Sequence, residues 1–305
     1  MEKAIQKIMA REMPAILRIQ TTAMKVLRDY LYGSDVLELM PVMLSTVTDP
    51  LCHSVCDAEI SYMGQQLQLT KSMILHKQLA LMPDGIERIA IMSPNVRLEA
   101  GECRESGRHL IEFSQLDIEF KHAKKKDFMR FAEGMVCYAI SEVIERCHEE
   151  LSLLERKLKV PAMPFKSYES RDFCKPITEA EKELSEEAAE PFWILDHERE
   201  FYDYEDKEQK GHYHNYDLVW PEGYGEALSG AEREFEFDEI VRKMKERKMD
   251  LMAYGPYLEI ASRGLLKPSA GGGLGIERFV RYLAGRGHIE EVSPFAKVPG
   301  TRITF

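Results

Sequence analysis

The run Gly271-Gly272-Gly273-Leu274-Gly275-Ile276-Glu277-Arg278-Phe279-Val280 constrains this chain more than any other stretch. Glycine lets a backbone pass close to another group and adopt φ > 0 without steric cost. The apolar residues that follow read as a helix, with Glu277 and Arg278 at its start. A glycine-rich entry to a helix offers unpaired N–H groups and the positive end of the dipole, which together make an anion site. Arg278 adds a fixed cation whose flat face can stack on an aromatic base. Taken alone, the same string serves equally as a tight turn before a helix, so the sequence upstream has to decide.

Composition narrows the choices. At 305 residues the chain fits one large domain or two ordinary ones. Its net charge of -11 argues against extensive binding to a phosphate backbone. No run approaches the roughly 18 apolar residues of a membrane span, and the N-terminus lacks a signal-peptide core. The six cysteines are scattered, as in a reducing cytosol, and predict a cytoplasmic protein. Cys52-His53-Ser54-Val55-Cys56 carries metal-ligand residue types, but no second pair at metal spacing stands near, so no structural zinc is expected there.

Residues 5–32 carry apolar positions at helical spacing, with Pro14 in the first turn and Gly33 as the stop. Residues 36–44 read as a buried strand with Pro41 at an edge or interface. Residues 59–69 alternate around Gly64, residues 72–81 read as a helix, and residues 89–92 and 110–120 as strands. Lys124-Lys125-Lys126 reads as a solvated entrance to a long helix over 128–158 rather than a nucleic-acid patch. Residues 178–190 read as an exposed acidic helix or connection. Strands resume at 191–195, 216–220 and 225–229, and helices at 235–248 and 254–263. The pattern predicts an α+β fold, an antiparallel sheet covered by helices.

Arg97 and Glu99 precede a polar loop, and Phe113, Gln115 and Asp117 follow it at alternate positions. Alternate positions share one face of a strand. So much charge on one sheet face is poor core material and suits a polyphosphate ligand. Arg97-x-Glu99 with Arg108-His109-x-x-Glu112-Phe113 resembles motif 2 of the class II aminoacyl-tRNA synthetases. Gly271 to Arg278 resembles motif 3, and Leu37 to Leu44 with Pro41 resembles motif 1. Tyr224-Gly225-Glu226-Ala227-Leu228-Ser229-Gly230-Ala231-Glu232-Arg233-Glu234 resembles the metal and substrate segment of the aspartyl/asparaginyl subgroup. The chain starts almost at the motif 1 helix, so a single catalytic domain over 1–305 without an anticodon-binding domain is expected. In this it resembles the archaeal-type asparagine synthetases related to asparaginyl-tRNA synthetase.

That resemblance implies an AMP-forming aspartate–ammonia ligase that passes through a β-aspartyl adenylate. Its ligands would be ATP, Mg²⁺, aspartate and ammonia, with no tRNA and no membrane. Arg97 would clamp the α-phosphate, and Phe113 and Arg278 would sandwich the adenine, with Glu99 and Gly275 completing the nucleotide site. Arg108 and His109 would meet the outer phosphates. Glu226, Ser229 and Asp217 match metal-binding positions. Lys77 and Arg233 would hold the far carboxylate of aspartate, with Gln115 and Asp117 near its ammonium. Two cations around one carboxylate favour aspartate over a neutral amide. Ile74, Glu232 and Lys297 depart from the tRNA synthetase pattern. An alternative is an adenylate-forming paralogue that uses another amine or amino acid. A non-catalytic relic is disfavoured because Arg97, Glu226 and Arg278 are all present. The family further implies a homodimer through motif 1.

Overall fold

The alternation in residues 112–121 sets the centre of the molecule. Gln115, Asp117 and Glu119 take one face of that strand, and Leu116, Ile118 and Phe120 take the other. The computed structural model describes every residue except Met1, Cys52, Ser54 and Phe305 and the side chains of Lys3 and Ala4. Eight strands form the main sheet. In chain order they are β1 (Leu37–Leu39), β2 (Arg88–Val96), β3 (Glu112–Lys121), β4 (Lys166–Glu169), β5 (Phe192–Leu195), β6 (Asn215–Trp220), β7 (Gly225–Glu232) and β8 (Ser269–Gly275). Their order in space is β1-β2-β3-β8-β7-β6-β5-β4. Every pairing is antiparallel except β1 with β2 and β5 with β4 at the two edges. This is the α+β arrangement the sequence predicts.

The helices used below are α1 (Met13–Gly33), α2 (Ile74–Ala80), α3 (Lys125–Arg146), α4 (Ile177–Glu187), α5 (Phe237–Glu246) and α6 (Ile276–Ala284). Helices α1, α3 and α6 share the core with the apolar face of the sheet. Ile19, Val26, Phe128, Val136 and Phe279 are buried there with Ile118, Leu228 and Leu274. Full burial of one such side chain contributes about 1.5–3 kcal/mol. One face of the sheet is thereby fixed under helices, and the polar face is left to build cavities. No helix among the described residues is long and apolar enough to cross a membrane.

Several elements differ from the sequence expectation. The first helix does not run from Ile5: a Glu2–Ile8 helix stops before α1 begins at Met13. The ring of Pro14 would clash with the carbonyl four residues earlier in a continuous helix. The strand predicted over 36–44 pairs with the main sheet only at Leu37–Leu39 and is an edge, with Leu37, Met40 and Met43 exposed. Pro41 lacks the N–H that a ladder would need. The helix predicted to reach Leu158 ends at Arg146, and His148–Leu153 forms a separate helix. The Cys147 thiol donates to Thr22 Oγ1 of α1 at 3.3 Å at this break, and Leu151 and Leu154 then turn into the core. Helix α4 is not simply exposed, because it buries Ala180, Glu181 and Ser185. The lysine run is an ion-paired helix entrance: Lys124 Nζ lies 3.2 Å from Glu232, and Lys125 Nζ lies 2.5 Å from Asp196. Cys52 of the Cys-His-Ser-Val-Cys segment lies outside the described residues.

Candidate active site

Strand register gathers the polar face. Asp217, Ser229, Gly273 and Asp117 form one row across β6, β7, β8 and β3. Asn215, Ala231, Gly271 and Glu119 form the next. The glycines of β8 are a condition of this arrangement. A Cβ on Gly273 would stand 1.8 Å from Gln115 Nε2, and one on Gly271 would stand 2.1 Å from Glu119 Oε2. The glycine run therefore makes room for polar side chains that cross the sheet. The expected anion site is narrowed by this: residues 271–275 are ladder-paired with β7 or β3, so only the first turn of α6, from Ile276, lies outside the ladder.

All the predicted ATP contacts line one cavity: Arg97, Glu99, Arg108, His109, Phe113, Glu226, Gly275 and Arg278. Arg97 donates to Lys71 O at 3.0 Å, and its guanidinium carbon lies 5.0 Å from the centre of the Phe113 ring. Arg278 donates to Glu226 Oε1 at 2.9 Å and to Arg108 O at 3.2 Å. Arg108 donates to Glu181 Oε1 at 2.5 Å, and Glu99 is held by His53 at 3.0 Å. Burial, then Arg278 and Arg108, push His109 down to about 4. At neutral pH its imidazole is uncharged, so it can offer a hydrogen bond but no cation to a ligand in this cavity.

Lys77, Gln115, Asp117, Ser229 and Arg233 line an adjoining cavity. The two cavities share Arg97, Gln115, Glu226 and Gly273. Lys77 is buried, with its Nζ 3.0 Å from Asp117 Oδ1 and 3.4 Å from Glu119 Oε2. Arg233 pairs with Glu119 at 3.1 Å and Asp203 at 2.9 Å. The two cations expected to hold a substrate carboxylate are thus each neutralised by carboxylates of the chain, which weakens the charge argument for aspartate.

Asp217 lines neither cavity. Its Oδ2 accepts from Arg199 at 2.5 Å and lies 3.3 Å from His197 Nε2. Burial pushes this carboxyl up, but Arg199 and His197 overcome it and hold the group well below the ordinary range. Arg199 also donates to the Ser229 hydroxyl. Asp217 Oδ1 is buried and has no hydrogen-bond partner among the described residues. Hard oxygens from Asp217, Glu226 and Ser229, one of them unpartnered, suit Mg²⁺.

Sequence reasoning missed Arg199, Glu119, Asp203, Glu181 and Glu200. Glu119 continues the alternation of Gln115 and Asp117, so that signal was present. Arg199, Glu200 and Asp203 come from a charged segment after β5 that carries no periodicity. Glu181 sits in a helix whose acidic composition reads as solvated.

Comparison with known proteins agrees with this geometry. The family described as tRNA synthetases class II (D, K and N) matches residues 1–299. The chain is 28% identical over 306 residues to an asparagine–tRNA ligase of Thermococcus kodakarensis, covering 93% of this chain and 69% of that protein. It is 25% identical over 309 residues to the Thermoplasma acidophilum ligase, covering 94% and 70%. The structure superposes on asparaginyl-tRNA synthetase of Pyrococcus horikoshii, complexed with asparaginyl-adenylate, with a TM-score of 0.83 and 25% identity, covering 94% of this chain and 69% of that one. With two joined cavities on the polar face of a class II sheet and a family match over nearly its full length, the chain belongs to the class II tRNA synthetases of the D, K and N type.

Proposed function

We propose that this chain makes asparagine from aspartate, ammonia and ATP, releasing AMP and pyrophosphate. The observation that carries this reading is the junction of the two cavities at Arg97, Gln115 and Glu226. A carboxylate held on the amino-acid side meets the α-phosphate of ATP there. Its oxygen attacks the phosphorus and pyrophosphate leaves. Arg97 faces the charge that builds on the phosphoryl oxygens, where a fixed donor has most effect. Phe113 and Arg278 flank the space for the adenine. Asp217, Glu226 and Ser229 would hold Mg²⁺, which when bound neutralises phosphate charge. Ammonia then attacks the acyl carbon of the adenylate and AMP leaves. No tRNA is needed, because ammonia is the acceptor, and the 305 residues act as a single catalytic unit.

Glu200 is the group we assign to the proton of ammonium. It lines the amino-acid cavity at 5% exposure, and its Oε2 accepts no hydrogen bond among the described residues, with Arg199 Nε 4.0 Å away. Burial raises its pKa; Arg199 opposes that shift, Asp49 and Asp203 reinforce it, and the carboxyl is pushed up to about 7. A carboxylate tuned to that range can take a proton near neutral pH.

A second reading is adenylation of asparagine or another amino acid. The prior neutralisation of Lys77 and Arg233 favours it, since a neutral amide would then meet no unpaired cation. Pyrophosphate exchange separates the two. Exchange driven by aspartate, with asparagine appearing when ammonium is added, supports the ligase. Exchange driven by asparagine alone replaces it with the second reading.

A further inference from the structure

The hairpin between β5 and β6 carries histidine and carboxylate groups that the adenylation chemistry does not use. Glu205 and Tyr213 form an antiparallel bridge, so His212 and His214 flank Tyr213 at alternate positions. One ring nitrogen from each histidine and one carboxylate oxygen of Asp206 lie within 4.8 Å of one another. His214 Nε2 is 3.4 Å from Asp206 Oδ2. That separation is long for a hydrogen bond. It is close to the ~3.3 Å edge of a tetrahedron whose metal–ligand bonds are ~2.0 Å.

The surrounding atoms point the same way. Asp206 Oδ1 accepts from the N–H groups of Glu208 and Gln209 at 2.8 and 3.2 Å, so Oδ2 is the oxygen presented to His214. Both ring nitrogens of His212 and Nδ1 of His214 are shielded from solvent and make no hydrogen bond among the described residues. Buried polar atoms are seldom left so, and each needs a reason. Glu232 Oε2 lies 3.5 Å from His214 Nδ1, and Asp196 Oδ2 lies 3.5 Å from His212 Nε2. A carboxylate beside each imidazole is placed to support the ring once a metal holds it. Glu169, Asp196 and His212 make an overlapping cluster. Lys125 Nζ donates to both Asp196 oxygens at 2.5 and 2.7 Å, so that carboxylate is already engaged. The side chains of Asp206, His212 and His214 are 24–28% exposed, so a further position can open to water.

We propose that Asp206, His212 and His214 bind a divalent transition-metal ion of zinc-like preference, separate from the Mg²⁺ of the adenylation site. Two imidazoles and one carboxylate are the donor set such ions select. The ion ties the hairpin down beside β7. His214 N donates to Tyr204 O, and Tyr204 N donates to Glu232 O. Asp203, one residue before Tyr204, is the partner of Arg233 in the amino-acid cavity. The site therefore braces a wall of the substrate pocket without touching substrate.

The test is a cobalt(II) titration of the full chain after chelation, with excess Mg²⁺ to occupy the oxygen donors of the active site. One equivalent should bind with visible ligand-field bands, and zinc should raise the Tm. Asp206→Asn, His212→Ala and His214→Gln should each abolish the bands, and Glu232→Gln should weaken binding by ~10–100-fold. Cys56→Ser should leave binding unchanged. Circular dichroism identifies any variant that fails to fold, and the remaining ligand variants then carry the test. Absence of ligand-field bands, a thiolate charge-transfer band lost in Cys56→Ser, or undiminished binding in folded Asp206→Asn would overturn the assignment.

Discussion

Arg97 and Lys77 are both cations at the two joined cavities, yet the structure gives them different mutational profiles. Arg97 is half-buried, with one hydrogen bond to Lys71 O and a ring contact with Phe113. Arg97→Ala should lower adenylate formation by about 10²–10³ through lost charge stabilisation, with little change in Tm. Pyrophosphate exchange and a thermal melt measure the two effects, and near-wild-type exchange would remove Arg97 from the phosphate site. Lys77 instead stands between buried Asp117 and Glu119. Removal of one partner of a buried ion pair costs about 3–5 kcal/mol, because a charge is left uncompensated. Lys77→Leu should therefore lower stability as well as raise the KM for the amino acid. Chemical denaturation checks this, and an unchanged midpoint would show that the two carboxylates find other partners.

At the scale of elements, the sequence made β3 legible because one face had to alternate with the other, and Phe113, Gln115 and Asp117 fell on the polar face as expected. The meaning of the glycine run was not legible. A string of glycines before a helix looks the same whether its N–H groups are free or paired, and only the neighbouring strands distinguish the two. The breaks at Arg146 and after Leu39 were equally hidden, since they depend on what Cys147 touches and on where the sheet ends. Arg199 and Glu200 escaped because a charged, aperiodic segment is buried only by its tertiary surroundings. The glycines of β8 yield a graded prediction. A Cβ on Gly273 meets the mobile end of Gln115, whereas one on Gly271 also meets the Ile118 carbonyl at 2.2 Å. Gly273→Ala should cost about 1–3 kcal/mol and raise the amino-acid KM as Gln115 moves off Asn95, with which it shares a 3.0 Å hydrogen bond. Gly271→Ala should cost more, since a backbone carbonyl yields less than a side chain. Urea unfolding of the pair tests the order, and a reversed ranking would contradict it.

For the whole molecule, the β1 edge leaves Tyr32, Leu37, Met40 and Met43 exposed, Met40 at 89%. A two-fold contact through this edge would cover them and brace β2, which pairs with β3 below the substrate cavities. Pro41→Arg should then lower both assembly and activity by sedimentation and by product formation, and a fully active monomer would show that the edge is not an interface. In the proposed reaction the β-carboxylate of aspartate is the group adenylated. Aspartate labelled with heavy oxygen in that carboxylate alone, incubated with the chain, ATP, Mg²⁺ and ammonium, tests it most directly. One labelled oxygen should appear in AMP for each asparagine formed; label found in inorganic phosphate, or AMP formed without label, would rule out β-carboxylate adenylation.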